Sequence, residues 1–231
     1  MKAAYVYKID EIPHSDDCLL GVVIGINRKW NKQRHCGIVF NLHNELRILH
    51  LATHNKVQCD RDFGTFLCWI KPEMHPALQE AFCAYLEIVG ESVDGGKNEI
   101  PYGFLYDEYA HIEPDGTLIL GGKECGLTCA TYVLTLFASK GFRLVDLDSW
   151  TSREEDKPWF IQIIKLFFEH FLGNQRMSHS HFKRLLSEIG CPRYRPEEIA
   201  VSSALYTRQA AKTDAIRSAG SGLLDYLLEI T

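Results

Sequence analysis

The sequence has no apolar run long enough to cross a membrane and no surplus of positive charge. No stretch approaches the ~18 to 20 apolar residues of a spanning helix, so we expect no membrane span. Lys and Arg number 25 against 30 Asp and Glu, a formal net charge of −5. Phosphate binding needs concentrated Lys and Arg, and the short basic stretches "NRKWNKQRH" and "CPRYR" are typical of solvated loops. The composition therefore argues against nucleic acid as a partner.

The sequence also lacks a recognisable secretory signal and a disulfide framework. The first twenty residues, "MKAAYVYKIDEIPHSDDCLL", carry acidic residues where a signal peptide needs an unbroken apolar core. The eight cysteines are scattered through apolar segments such as "TFLCWI" and "EAFCAYL", a pattern typical of reduced, mostly buried thiols. We therefore expect a cytoplasmic protein, or one exported without an amino-terminal signal peptide, such as a secreted effector.

What the sequence does contain is the composition of a globular protein, with 46% hydrophobic residues in 231. "LLGVVIGI", "FGTFLCWI" and "GTLILGG" predict strands, and "HCGIVFN" with "LRILHLA" predicts a β-hairpin. "PALQEAFCAYLEIVGE" and "CATYVLTLFASK" predict helices, and the last third looks entirely helical. We predict an α+β fold with a central antiparallel sheet. Residues 1–150 would form the main domain, and residues 151–231 a helical extension packed on it.

Cys129 stands at the predicted start of a helix, in "CGLTCATYVLTLF". A cysteine nucleophile needs a low thiol pKa, a base and a group that orients the base. A thiol in the first turn of a helix faces free backbone N–H groups and the positive end of the helix dipole, which lower its pKa. The same amides can form an oxyanion hole. Cys129, with Thr128 as the predicted N-cap, is therefore a candidate nucleophile, although a single cysteine is more often only a buried thiol.

Two histidines of the predicted hairpin are expected to share one face. With a turn at residues 43–44, paired residues sum to 87, so His35 lies opposite Ala52 and one diagonal step from His50. Diagonal neighbours lie about 7 to 8 Å apart, within reach for two imidazoles. The same alternation turns Cys36 to the opposite face, as a bystander. Such a pair indicates catalysis, a structural pair bonded to backbone carbonyls, or half a zinc site.

The run "HCGIVFNLHNELRILHLA" resembles the histidine hairpin of the circularly permuted papain-like superfamily, which includes NlpC-related proteins, lecithin:retinol acyltransferase-like enzymes and YiiX-type amidases. "IPYGFLYDEY" followed by "CGLTCATYVLTLF" is similar to the P-Y-x-x-x-F stretch and cysteine helix of YiiX-type proteins. In this superfamily the histidines precede the cysteine, as they do here. The resemblance covers residues 18–148. Many members have "CSE" or "NCEHF" at the cysteine where this chain has "CAT", a departure that bears on the substrate.

The resemblance implies a permuted papain-like core and a role for each candidate residue. Cys129 would be the nucleophile, His35 the general base and acid, His50 the group that orients His35, and Tyr102 a polar wall of the pocket. The activity implied is that of a cysteine hydrolase of amidase or peptidase type, or of an acyltransferase. Either reaction passes through a thioester and needs no metal or organic cofactor. Peptide-like amides rank first as substrates and lipid acyl esters second.

Other interpretations stay open. Cys125 and Cys129 could complete a zinc site with the two hairpin histidines, or Cys125 could be a redox partner of Cys129. The fold could also serve as a non-catalytic module that binds a protein partner through its helical C-terminal part. The apolar helix "PWFIQIIKLFFEHFL" would then be a docking surface, or alternatively a lid over the site. His54 is expected to be an exposed turn residue, and His181 part of a solvated helix start capped by Ser178 or Ser180.

Overall fold

The computed structural model describes residues 5–13, 18–27, 33–42, 45–97, 99–122, 125–172 and 177–230. The strands are β1 (Val6–Lys8), β2 (Leu19–Asn27), β3 (Gln33–Leu42), β4 (Glu45–Thr53), β5 (Lys56–Asp60), β6 (Phe66–Ile70), β7 (His111–Ile112) and β8 (Leu118–Ile119). The α-helices are α1 (Pro76–Asp94), α2 (Cys129–Ala138), α3 (Lys157–Phe167), α4 (His179–Ser187), α5 (Pro196–Leu205) and α6 (Thr213–Glu229). A π-helical turn, Phe168–Leu172, follows α3.

Six strands form one sheet in the order β1-β6-β2-β3-β4-β5, and every neighbouring pair in it is antiparallel. The strands β7 and β8 form a separate two-stranded ribbon. The predicted α+β fold with an antiparallel sheet is therefore confirmed. The turn at residues 43–44, and residues 28–32 of the first basic stretch, lie outside the described residues.

The hairpin of β3 and β4 has the register that the sequence predicts. Leu42 pairs with Glu45 and Ile38 with Leu49, so paired residues sum to 87. Strand β5 was not predicted. It follows β4 after a tight turn in which Asn55 has a φ of 54°, and its short, largely polar sequence gives little strand signal. The predicted strand at residues 116–122 shrinks to Leu118–Ile119.

The two faces of the sheet are covered unequally. One face carries Val22, Ile24, Ile38, Phe40 and Leu49 into the main apolar core, to which α1, α2, α5 and α6 also contribute. The opposite face carries a smaller apolar cluster, with Val23, Val39, Ile48 and Trp69 at its centre. Burial on both faces explains why β2 is apolar along most of its length rather than alternating.

The helical C-terminal part divides between two apolar clusters. Helix α5 brings Ile199, Ala200 and Val201 into the main core, and the predicted helical tail is interrupted between α5 and α6. Helices α3 and α4 instead form a third cluster with Phe104. None of the described helices has the length and apolar character needed to cross a membrane.

Candidate active site

The start of α2 presents Cys129 at the first helical position. The Thr128 hydroxyl oxygen accepts a hydrogen bond from the Thr131 amide at 3.1 Å, and the Thr131 hydroxyl accepts one from the Thr128 amide at 2.7 Å. This capping box confirms Thr128 as the N-cap. Because the cap takes up the amides of Thr128 and Thr131, those of Cys129 and Ala130 lie between them at the positive end of the helix.

His35 and His50 contact each other on the same face of the hairpin, as the strand alternation predicts. The Nε2 atom of His35 lies 2.7 Å from the Nδ1 atom of His50, and the two rings meet edge to face. Gly37 makes this approach possible, since a Cβ atom at that position would lie 2.7 Å from the His50 Cβ atom. The hairpin therefore holds two imidazoles in direct hydrogen-bond contact.

A third residue, Asp60 of β5, extends this contact. Its Oδ2 atom lies 3.3 Å from the Nε2 atom of His50. With the proton of His50 on Nε2 and donated to Asp60, the His50 Nδ1 atom accepts the N–H of His35 Nε2. That pattern leaves the Nδ1 atom of His35 for the hydrogen bond that His35 makes with the Cys129 thiol. Burial and the nearby charge of His35 lower the pKa of His50 to about 4, so this ring is neutral near pH 7.

The thiol of Cys129 has the electrostatic surroundings of a thiolate. A hydrogen bond from the Cys36 thiol, together with the positive charge and hydrogen bond of His35, holds the pKa of Cys129 well below its ordinary value despite burial. Burial and the neighbouring Cys129 raise the pKa of Cys36 well above its ordinary value. The thiolate therefore belongs to Cys129, and Cys36 stays protonated as a hydrogen-bond donor.

Cys36 is not the bystander that the sequence predicts. It does point to the face opposite His35, but that face is the one on which α2 packs. Two adjacent residues of β3 therefore reach Cys129 with side chains that leave the strand on opposite sides. Strand alternation alone could not reveal this contact, because it does not say where the helix lies.

Tyr102 lies in a backbone clamp formed by a second histidine pair. The Tyr102 N–H donates to His54 Nδ1 at 3.0 Å, and the Tyr102 carbonyl oxygen accepts from His181 Nε2 at 2.7 Å. Both histidines are buried, with exposed fractions of 7% for His54 and 5% for His181. The expectation that they are exposed is wrong, because the cluster of α3 and α4 covers them and the Phe167 ring contacts His54. Ser178 caps α4 as predicted.

The clamped segment is tied to the residues that precede Cys129. The Leu127 amide donates to the Pro101 carbonyl at 2.9 Å, and the Gly103 amide donates to the Leu127 carbonyl at 3.3 Å. The backbones touch so closely that a Cβ atom at Gly126 would lie 2.4 Å from the Pro101 oxygen. The histidine pair around Tyr102 therefore fixes the approach to the cysteine helix.

A cavity of about 130 Å³ joins these elements. Cys129, His35 and Tyr102 all line it, and Leu51 and Ala52 of β4 line it beside them. Residues of α3 also line the cavity, so the apolar helix of the C-terminal part does border the site. Tyr102 is thus a wall residue, and burial raises the pKa of its hydroxyl strongly.

Cys125 lies outside this arrangement. Its Sγ atom is 3.9 Å from an Arg184 nitrogen, and the Asp107 side chain also contacts it. In the described part of the chain, no group of three or more His, Cys, Asp or Glu side chains is placed to hold a metal ion. The predicted Cys2His2 set is therefore not assembled. Cys125 and Cys129 are both free thiols, and the thiol that hydrogen-bonds Cys129 is Cys36.

Comparison of the chain with protein-family models, with curated proteins and with solved structures gives no match. The functional assignment therefore depends on the geometry of the site.

Three features of this site were missed in the sequence. Asp60 could have been found by continuing the alternation through the turn after β4, because His50 pairs with Gln58 and Asp60 lies one diagonal step away on the same face. The other two features join distant parts of the chain. Cys36 and Cys129 are 93 positions apart in the sequence, and His54 and His181 are 127 positions apart. No local pattern carries that information.

Proposed function

We propose that the protein is a cysteine hydrolase of amidase or peptidase type, or an acyltransferase, that acts through a thioester on Cys129. The observation that carries the proposal is a thiol of depressed pKa at the end of the chain Asp60, His50 and His35, inside a cavity. A buried thiolate beside an imidazole and at a helix start is the arrangement that nucleophilic catalysis needs.

The reaction follows from the position of each group. The Cys129 thiolate attacks the carbonyl carbon, and the carbonyl oxygen becomes an oxyanion that the amides of Cys129 and Ala130 are positioned to stabilise. His35 gives its proton to the leaving amine or alcohol as the bond to the carbonyl carbon breaks. In the second half, His35 takes a proton from water or from an acceptor, which attacks the thioester and releases the Cys129 thiolate.

His50 and Asp60 serve as positioning residues in this proposal. A neutral His50 that accepts from His35 holds the ring of the base in the tautomer that presents Nδ1 to Cys129. Asp60 holds His50 in turn. Cys36 adds a thiol donor that keeps Cys129 ionised.

The order of His35, His50 and Cys129 along the chain supports a permuted papain-like core as part of the proposal. A sheet that carries the histidines and packs against a helix starting at the cysteine is the architecture that this resemblance implies. Peptide-like amides remain the favoured substrates.

Selective alkylation tests the nucleophile directly. We expect iodoacetamide at pH 7 to modify Cys129 far faster than the other seven cysteines, read by peptide mass spectrometry, because the pKa of this thiol is depressed. His35→Ala should abolish the selectivity, and His111→Ala, at an exposed histidine of β7, should retain it. Equal labelling of all eight thiols would contradict the proposal and favour a non-catalytic module on this fold.

A further inference from the structure

One face of α3 forms a continuous apolar wall of the cavity. Trp159, Ile163, Leu166 and Phe167 all line it, and their spacing of i, i+4, i+7 and i+8 places them on one side of the helix. Ile161 lies on another side of the same helix and is 50% exposed, whereas Ile163 is 7% exposed. The apolar side of α3 therefore faces the cavity.

The α3 wall is fastened to the strand that carries His35. The indole N–H of Trp159 donates to the Gln33 side-chain oxygen at 2.7 Å, and Gln33 begins β3. The Arg193 guanidinium lies over the same indole ring at 3.7 Å. These contacts hold the α3 wall against the strand that carries His35.

The space between this wall and the strands is small. The cavity measures about 130 Å³, and an apolar protein cavity of about 150 Å³ holds one benzene molecule. Leu51 and Ala52 close the side formed by β4. A short alkyl chain, a branched alkyl group or one aromatic ring therefore fits, whereas a long acyl chain does not.

We propose that α3 selects the acyl group of the substrate, and that this group is compact and apolar. The inference depends on the proposed function, because it assigns the cavity to the part of the substrate that stays on Cys129 as the thioester. The acyl group is held through both half-reactions, whereas the leaving group must depart and admit water or an acceptor. Arg34 and Arg193 also line the cavity, and the small apolar space along α3, beside the thiol, suits the group that stays.

A series of 4-nitrophenyl esters tests this assignment. In each, the Cys129 sulfur forms a bond to the carbonyl carbon, the bond from that carbon to the phenolic oxygen breaks, and 4-nitrophenolate leaves. Water then cleaves the thioester to a carboxylic acid and restores the thiol. We expect kcat/KM to rise roughly fourfold per added methylene from acetate to butanoate, as apolar burial predicts. It should fall at least tenfold from hexanoate to hexadecanoate. A flat series, or one in which hexadecanoate is best, would overturn the inference.

Variants of α3 locate the selectivity. Ile163→Ala should move the preferred chain length upward by several carbons, because it enlarges the cavity at its wall. Ile161→Ala removes the same atoms from an exposed position of the same helix and should leave the series unchanged. If Ile163→Ala lowers the melting temperature too far for assay, Leu166→Ala at a half-buried position should give the same upward shift. An unchanged preference in the folded variants would refute the role of α3.

These experiments distinguish a failure of the role of α3 from a failure of the proposed function. The mass of the acylated protein and its loss in Cys129→Ala report whether a thioester forms at all. A thioester that forms equally fast with every chain length keeps the proposed function and rejects the role of α3. Absence of any thioester on Cys129 with all of the esters rejects both.

Discussion

The two histidine pairs of the site differ in burial and in what they hold, since His35 and His50 are half-buried whereas His54 and His181 are buried. His35 and His50 hydrogen-bond each other and connect a carboxylate to a thiol. His54 and His181 instead hold the amide and the carbonyl of a single residue, Tyr102. Burial lowers the pKa of one member of each pair, His50 and His54, to about 4. A depressed histidine pKa therefore does not identify the reactive pair. The carboxylate and the thiol that the pair connects do identify it.

The two pairs support different parts of the cavity wall, His35 on β3 and Tyr102 in the clamp. The first belongs to strands β3 and β4, and the second holds residues 101–103, which pair with Leu127 just before the cysteine helix. The comparison predicts that changes to the first pair alter reactivity and that changes to the second alter stability.

The largest difference is expected from replacing one histidine of each pair by glutamine. His35→Gln should lower kcat with a 4-nitrophenyl ester by about 10² to 10⁴-fold, because general acid–base catalysis contributes that much. His181→Gln keeps an N–H donor for Tyr102 and should lower kcat less than tenfold. Initial rates at saturating substrate, on variants shown to be folded by circular dichroism, check the result. Equal losses in the two variants would remove the distinction between the pairs.

Acid should destabilise the protein through both pairs. The folded state keeps His50 and His54 neutral down to about pH 4, whereas the unfolded chain protonates a histidine near its ordinary value of 6.5. Their contribution to the free energy of unfolding is therefore complete above pH 6.5. It is lost as the pH falls toward 4, by at most about 3 kcal/mol per histidine.

Urea unfolding at pH 7.0 and 4.5 measures this loss. In the variant His54→Gln, only His50 should still contribute to the loss at acid pH. The change in the free energy of unfolding between the two pH values should therefore be about half as large as in the parent. A pH dependence in His54→Gln equal to that of the parent would contradict the assignment.

Loss of the carbonyl clamp should cost stability without changing the thiol. His181→Phe removes the donor to the Tyr102 carbonyl, and a buried unsatisfied acceptor costs about 1 to 3 kcal/mol. The alkylation rate of Cys129 below the unfolding transition should stay within about threefold of the parent rate, since the hydrogen bond of His181 goes to the Tyr102 carbonyl. His179→Phe, at an exposed position of the same helix, is the matched control and should be close to neutral.

The smallest effect is expected at Asp60. Its carboxylate is 38% exposed and 3.3 Å from His50, and exposed ionic contacts contribute at most about 1 kcal/mol. Asp60→Asn should therefore lower kcat by no more than about fivefold and leave KM unchanged. A KM effect without a kcat effect would mean that Asp60 contacts substrate rather than positions His50.

The sequence predicts what is local in this site and misses what is not. The register of β3 and β4 follows from alternation and a short turn, so the meeting of His35 and His50 could be derived from spacing alone. The helix start at Cys129 follows from its cap. The burial of His54 depends on α3 and α4, more than 100 residues later, and no periodicity in the turn at residues 54–55 contains that fact.

The basic stretch "CPRYR" shows the same limit for charge. It reads as a solvated loop, yet Arg193 is buried and paired with Asp156 at 2.9 Å. Burial of a cation requires a partner, and the partner lies 37 residues earlier in the chain. Charge patterning within a short window does not reveal such a pair.

Trp159 gives the cavity an optical reporter of its own. Its indole donates to Gln33, lies under the Arg193 guanidinium and lines the cavity beside the reacting thiol. Indole fluorescence depends on hydrogen bonding and on nearby charge, so the emission of this one tryptophan changes with whatever fills the space. Because the chain has four tryptophans, a compound that enters the cavity can be followed without a label as the difference in emission between the parent protein and Trp159→Phe.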